Sequence, residues 1–349
     1  MAHIIMPFIV AWVAGLLLVP LVRRIALRLG LVDRPNRRKI HAHPIPRIGG
    51  TAIYLATCLG ALPFLTDEAK IRGVFIAGTF MFIVGLLDDI LDLPPKVKLA
   101  GQIMAVLLLF FFHVRIDFIT DFYSGSGHVA LGILAYPLTL LWVIGLTNTV
   151  NLIDGVDGLA GGIVFIALGT LLAVRLISPQ TQDIAVIQNV LALTAALMGS
   201  ILAFLRFNVF PAAIFMGDSG AYFLGFTVAA LAIAGATKGS ILLPLVIPLI
   251  ALGLPVLDVI LAILRRFMRR VHIFQADKEH LHHKLLKLGF SQADTTRFLW
   301  MVSTCFGLLA ILMSGVPHRG LASMVTLLLV LMLIVSAAFF VSRAKRNIP

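Results

Sequence analysis

The sequence predicts an all-α, polytopic membrane protein, and three observations carry that expectation. Of its 349 residues, 60% are hydrophobic and 13% charged, whereas soluble globular chains carry about 25% charged residues. Its mean hydropathy is +1.04. Apolar stretches such as Ile4 to Val22, Val74 to Leu87 and Ile241 to Leu264 recur throughout, and a helix needs about 20 such residues to cross a bilayer core. Strands with alternating polar residues are absent from the sequence pattern, so helices rather than a barrel satisfy the backbone in lipid.

Taken in order, the apolar stretches give eleven spans, at 4–22, 48–66, 72–88, 99–114, 130–149, 159–177, 184–205, 219–237, 240–264, 296–315 and 320–342. Met1 to Val22 has no cationic segment ahead of its apolar run, which favours a retained first span over a removed signal peptide. Cys58 and Cys305 both lie inside apolar stretches and read as small buried hydrophobes. An odd number of spans places the termini on opposite faces. With the first loop cytoplasmic, the segments 23–47, 88–98, 149–158, 206–218, 265–295 and 343–349 share that face. They and the adjoining Arg297 hold all the Lys and Arg except Lys70, Arg72, Arg115, Arg175, Lys238 and Arg319. This asymmetry puts the N-terminus outside and the C-terminus in the cytoplasm. The formal charge of +12 is thereby an orientation signal and an attraction for anionic lipid or phosphate, and nucleic acid drops out as a partner. The chain reads as one domain over 1–349. The external connections are short except for Arg115 to His128, a loop or small hairpin without a catalytic grouping.

The cytoplasmic face carries four polar constellations. Gly85-Leu-Leu-Asp-Asp-Ile-Leu-Asp92 closes an apolar run on three acids. On a continuing helix Asp88 and Asp92 share a face, and Asp89 nearly joins them, so the three could wall a pocket; a solvated helix end is the plainer reading. Thr147 to Ala160 places Asn148, Asn151, Asp154 and Asp157 at intervals of three, with Gly155 and Gly158 allowing close backbone approach. That face could hold a hard cation or hydrogen-bond a polar ligand. Phe215-Met-Gly-Asp-Ser-Gly-Ala221 puts Asp218 at a helix start, where it is either an N-cap or the holder of a divalent ion on a bound phosphate. The segment Arg265 to Gln292 holds four arginines, then Asp277-Lys-Glu-His-Leu-His-His-Lys284. The arginines alone read as a stop signal, and the histidine spacing does not match a zinc motif, so donors to pyrophosphate or sugar oxygens fit better. Lys98 and Arg47 are further phosphate partners, or snorkelling side chains.

Together these motifs resemble the polyprenyl-phosphate N-acetylhexosamine-1-phosphate transferases, in the branch of the WecA and TagO enzymes, related to MraY. The likeness runs from Asp33-Arg-Pro-Asn36 and Pro46-Arg-Ile-Gly-Gly50 to the histidine segment, and His280-Leu-His-His283 departs from the three consecutive histidines of MraY-type sequences. The resemblance implies transfer of GlcNAc-1-phosphate from UDP-GlcNAc to undecaprenyl or another polyprenyl phosphate. UMP leaves, on the cytoplasmic face of a bacterial inner membrane, and a lipid-linked envelope glycan begins. It also implies magnesium, with manganese as a substitute, on Asn151 and Asp218. Lys98 would neutralise phosphate, Asp154 and Asp157 would bind the donor, Asp157 at the uracil, and Phe215 would stack on that ring. Arg265, His280, His282 and His283 would meet the sugar and its phosphates. In a single in-line displacement Asp88 would orient the acceptor and take any remaining proton, with Asp89 supporting Lys98 or the metal shell. The rival chemistry is an aspartyl-phosphate intermediate. The muramoyl-pentapeptide donor and, from another class, a cation- or proton-coupled transporter are the competing functions. A transporter calls for acids near the bilayer midplane, whereas only Asp258 lies inside an expected span, near its cytoplasmic end. The oligomeric state, a homodimer included, is left open.

Overall fold

A computed structural model describes residues 2–33, 44–120, 128–177, 184–235, 249–250, 252–268, 281–314 and 319–346. Twelve helices are numbered here among those residues: α1 Ala2–Leu29, α2 Gly49–Ala61, α3 Ala69–Leu91, α4 Pro95–Phe111, α5 Ala135–Ile153, α6 Leu159–Ile177, α7 Ile184–Asn208, α8 Gly217–Ala234, α9 Gly253–Met268, α10 Leu281–Lys287, α11 Gln292–Met313 and α12 Arg319–Arg346. Eight helical stretches, those of α1, α3, α5, α6, α7, α8, α11 and α12, are long and apolar enough to cross a membrane. The expected spans at 48–66, 99–114 and 240–264 fall on α2, α4 and α9, of 13, 17 and 16 residues. Helix α2 ends early because Leu62-Pro-Phe64 tightens to a 3₁₀ turn, α4 is shifted toward the N-terminus because Pro95 starts it ahead of residue 99, and much of 240–264 lies outside the described residues. Two small antiparallel pairs add to the helices. Strand β1 (Val32–Asp33) pairs with β2 (Ile45–Pro46), and β3 (Phe118–Thr120) pairs with β4 (His128–Ala130), where a loop or small hairpin is expected.

Helix α8 is the axis of the bundle. Every residue from Ser219 to Ala234 is buried, as expected of a helix that is apolar all round, and α3, α5 and α2 are among the helices packed on it. Between membrane helices lipid tails offer no hydrophobic gain, so close approach of small residues supplies the contact. Helix α1 lies along α2 and α7 on that basis. A side chain at Gly199 would strike the Phe8 carbonyl, and one at Gly15 would meet Ala203 Cβ at 2.6 Å. Thr57 on α2 and Ser200 on α7 share a hydrogen bond of 2.9 Å within the same seam. Helices α1 and α12 turn large apolar side chains outward, Leu17 and Ile334 among them. On a chain of this composition, that is the surface lipid covers.

Candidate active site

The two acids that close α3 part company. Asp88 Oδ1 accepts from the Leu93 amide at 2.9 Å and Oδ2 lies 2.6 Å from Lys98 Nζ. The helix stops at Leu91, and Asp92 adopts a left-handed conformation (φ 53°) whose amide donates back to the Asp88 carbonyl at 2.9 Å. That turn lets Pro95 open α4, the first helical position being one proline tolerates, and returns Lys98 to Asp88. Asp92 therefore does not share the wall with Asp88 and Asp89, because the helix that would align them has ended. Lys98 is bound by Asp88, so of the two expectations for Asp89, support of Lys98 or of the metal shell, the first does not match the ion pair.

Asp89 turns to α8. Its Oδ1 accepts from the Asp218 amide at 2.8 Å and its Oδ2 from the Ser219 amide at 3.0 Å, so two of the donors orphaned at a helix start are satisfied from another helix. The N-cap reading of Asp218 thus fails. With the backbone held by Asp89, the Asp218 side chain reaches to 3.6 Å from Lys98 Nζ. Gly217 makes this geometry available: its φ is +74°, and a Cβ there would collide with the Arg47 carbonyl and the Asp89 carboxylate. The segment Pro46 to Gly50 is laced to the same place. Phe215 N donates to Pro46 O at 2.8 Å, Gly49 N to Phe215 O at 2.9 Å and Gly50 N to Met216 O at 2.7 Å. This lacing carries Arg47 and Phe215 to one cavity wall.

The third wall is the turn between α5 and α6. Asn151 stands in the last turn of α5, Asp154 follows as its cap, and Gly158 (φ +74°) reverses the chain into α6. Asp157 Oδ2 accepts from the Ala212 amide at 2.9 Å, and its carbonyl accepts from Thr296 Oγ1 of α11 at 3.0 Å. Asn208, buried at the end of α7, holds the turn in place. Its Oδ1 accepts from Gly158 N at 3.0 Å and its Nδ2 donates to Ile214 O at 2.9 Å. Asn208→Ala removes both bonds and is expected to destabilise the protein by about 2 kcal/mol, seen as a lower thermal midpoint in detergent. An unchanged midpoint would contradict that role.

The histidine segment supplies the last side. Asp258 Oδ1 accepts from Leu281 N at 3.0 Å and so anchors α10. His282 is buried, its ring centroid 4.3 Å from that of His283. Gly155 lies against it, since a Cβ at that position would sit 3.4 Å from His282 Nε2. His283 reaches the cavity; Arg265, on α9, is not among the lining residues. His280, with the rest of 269–280, lies outside the described residues.

The cavity these walls enclose has a volume of about 780 Å³. Of the residues singled out in the sequence it brings together Asp89, Asn151, Asp154, Asp157, Phe215, Asp218 and His283. Asp88 and Lys98 stand behind it, joined to it through Asp218. Asn148 faces Gln102 instead, so the interval of three ceases to mark one face there. Arg23, Asp33, Asn208 and Gln292 also line the cavity. The sequence signal for Arg23 and Asn208 was a polar residue at the end of an apolar helix, a pattern shared with ordinary snorkelling and capping. Arg23 Nε donates to the Ala213 carbonyl at 3.0 Å, which fixes its approach.

Electrostatically the wall is crowded with acids. Burial, and then the neighbouring Asp218, Asp89 and Asp157, hold the Asp154 carboxyl well above the ordinary aspartate range. No group of three or more His, Cys, Asp or Glu side chains arranged to hold a metal occurs among the described residues. An all-protein cage is therefore absent there, while Asn151 and Asp218 offer hard oxygen donors to the same cavity from two of its walls. Magnesium is held in that manner, by one or two protein oxygens completed by water and phosphate. The donor set and the unfavourable crowding of carboxylates both fit a divalent cation.

Comparisons with known proteins show the family of the chain. The family model described as glycosyl transferase family 4 matches residues 71–236. The chain is 35% identical over 316 residues to the probable undecaprenyl-phosphate N-acetylglucosaminyl 1-phosphate transferase of Bacillus subtilis (strain 168), covering 90% of this chain and 86% of that protein. It is 33% identical over 349 residues to the decaprenyl-phosphate N-acetylglucosaminephosphotransferase of Mycobacterium tuberculosis (strain ATCC 25618 / H37Rv), covering 88% and 85%. Identity to the undecaprenyl-phosphate alpha-N-acetylglucosaminyl 1-phosphate transferase of Escherichia coli (strain K12) is 29% over 278 residues, covering 77% and 72%.

Proposed function

The chain belongs to glycosyl transferase family 4, and from that premise we propose that it transfers N-acetylglucosamine 1-phosphate from UDP-GlcNAc to undecaprenyl phosphate, releasing UMP. The observation that carries the proposal is the convergence of Asp89, Asn151, Asp154, Asp157, Phe215, Asp218 and His283, from segments far apart in the chain, on one cavity that also holds Arg23 and Arg47. A polar site at the end of membrane-length helices suits a reaction between a water-soluble nucleotide and a lipid. The names of the similar proteins supply the N-acetylglucosaminyl phosphate and the polyprenyl acceptor. The eleven-span topology, with the N-terminus outside and all these segments at the cytoplasmic face of a bacterial inner membrane, rests on the charge asymmetry of the loops. In this reading the whole chain is one catalytic domain.

In the proposed mechanism Asn151 and Asp218 would hold magnesium, which would offset the charge of the pyrophosphate and favour departure of UMP. Phe215 offers a ring for the uracil to stack on, and Asp157, fixed by Ala212 and by Thr296, offers it a carboxylate acceptor. His283 and Arg47 take the sugar phosphate side, with Arg265, His280 and His282 completing the histidine segment. Asp154 binds the donor. Lys98, held between Asp88 and Asp218, supplies positive charge to the phosphates. A phosphomonoester is already largely dianionic at neutral pH, so the acceptor needs orientation more than deprotonation. The displacement is a single in-line step; Asp88, behind the cavity in its ion pair with Lys98, acts on the acceptor through Lys98, and takes any remaining proton only where that pair opens. Asp89 acts as a positioning residue, holding Asp218 through its backbone.

Purified protein in detergent with magnesium, undecaprenyl phosphate and a panel of UDP-sugars is expected to release UMP with UDP-GlcNAc in preference to the other donors. Turnover preferring UDP-N-acetylmuramoyl-pentapeptide would overturn the sugar assignment. No turnover with any donor, alongside solute or ion uptake in vesicles, would overturn the reaction itself.

A further inference from the structure

Asn148 belongs to the Asn and Asp series of the α5 turn, yet it does not line the cavity. It is engaged by Gln102 of α4 in a reciprocal amide pair. Gln102 Nε2 donates to Asn148 Oδ1 at 3.1 Å, and Asn148 Nδ2 donates to Gln102 Oε1 at 2.8 Å. Asn148 Nδ2 also donates to the Ile144 carbonyl one turn back, at 2.9 Å. Gln102 is 3% exposed. An amide so placed is strongly disfavoured without a partner, and a pair satisfied in both directions rigidifies the contact it spans.

The position of the pair gives it a consequence. Gln102 lies four residues beyond Lys98 on α4, and Asn148 three residues before Asn151 on α5, so each stands about one helical turn along its own helix from a site residue. One helix carries the cation that reaches Asp88 and Asp218; the other carries the Asn151 amide to the cavity wall. Apolar contacts between two helices tolerate sliding by small amounts, whereas two directional bonds fix both separation and register.

We infer that Gln102 and Asn148 are a positioning pair that sets the place of Lys98 relative to Asn151, and through that the rate of phosphoryl transfer. The inference rests on the reading of this site as a phosphoryl-transfer centre.

The test compares single and double variants of the full-length protein in detergent. Gln102→Leu or Asn148→Leu leaves one amide without its partner and is expected to lower both the thermal midpoint and kcat. Gln102→Leu/Asn148→Leu removes both amides and fills similar volume with apolar groups. It is expected to recover the midpoint while kcat stays down by about tenfold or more, as follows when catalytic groups are displaced by a fraction of an ångström to an ångström. KM for UDP-GlcNAc is expected to stay within about twofold, because neither amide lines the cavity. Recovery of kcat together with the midpoint would overturn the proposal and reduce the pair to packing. A second readout does not depend on turnover: amide hydrogen exchange across 149–158 is expected to quicken in the double variant, and unchanged exchange would equally overturn it. Wild-type protein inactive with every nucleotide sugar would count against the reaction assigned to the site, while the exchange measurement still decides the pair.

Discussion

Asp218→Ala is expected to lower magnesium-dependent UMP release by about a thousandfold or more, equivalent to ~4 kcal/mol of transition-state stabilisation. The substitution is also expected to leave the bundle folded. The start of α8 is capped by Asp89 through the backbone amides of residues 218 and 219, and alanine retains both donors. What disappears is a carboxylate that lines the cavity and lies 3.6 Å from Lys98. Asn151→Ala removes the second proposed oxygen ligand and is expected to act in the same direction, with activity restored only partly by raised magnesium. The measurement is turnover against magnesium concentration, with the thermal midpoint as the control for folding. Near-normal turnover in either variant would refute its assignment as a ligand.

Lys98→Met is expected to destabilise the protein by about 3–5 kcal/mol, the range seen when one member of a buried ion pair is removed. The Asp88 side chain is only 1% exposed and its Oδ2 has Lys98 Nζ at 2.6 Å, so deleting the ammonium strands a carboxylate out of water. Adding Asp88→Asn removes that charge, and the double variant is expected to regain most of the lost thermal stability. It is not expected to regain turnover, because the positive charge beside Asp218 is gone. A double variant as unstable as Lys98→Met would show that stranding of Asp88 is not the cause. One with full activity would remove Lys98 from the mechanism.

Much of the site could be read from the sequence because carboxylates and amides at the ends of apolar helices are costly unless something uses them. Asp89, Asn151, Asp154, Asp157 and Asp218 met that criterion, and all line the cavity. Partnership was harder to read. Asp88 and Asp89 are adjacent, and a helix turns about 100° per residue, so the two face different neighbours; which neighbour each meets depends on the path of α4 and the placing of α8. Asp92 looked like a third member only while α3 was assumed to continue. Asn148 had the right spacing but found Gln102 across a helix interface that periodicity cannot locate. Arg23 and Asn208 were hidden because neither belongs to a cluster of acids and amides, and a single snorkelling cation or capping amide at a helix end is ordinary. For the fold, hydropathy located the apolar stretches. It did not show that the turn at Leu62 to Phe64 would shorten α2 or that Pro95 would start α4 ahead of its apolar stretch.

The glycine-lined meeting of three chain segments at the start of α8 has a consequence for how such a protein can change. A side chain at Gly50 would strike the Gly220 backbone, one at Gly85 would come within 2.5 Å of the Asp218 carbonyl, and one at Gly217 would strike the Arg47 carbonyl. Even a methyl group there displaces main chain rather than a yielding side chain, so random substitution meets a barrier that no single neighbour can relieve. Gln292, His283 and Arg23 stand on separate elements of the cavity wall and do not belong to that junction. New donor preferences, whether selected in a laboratory library or arising by drift, are therefore to be sought at such wall positions, with the junction left untouched as the fixed part of the inheritance.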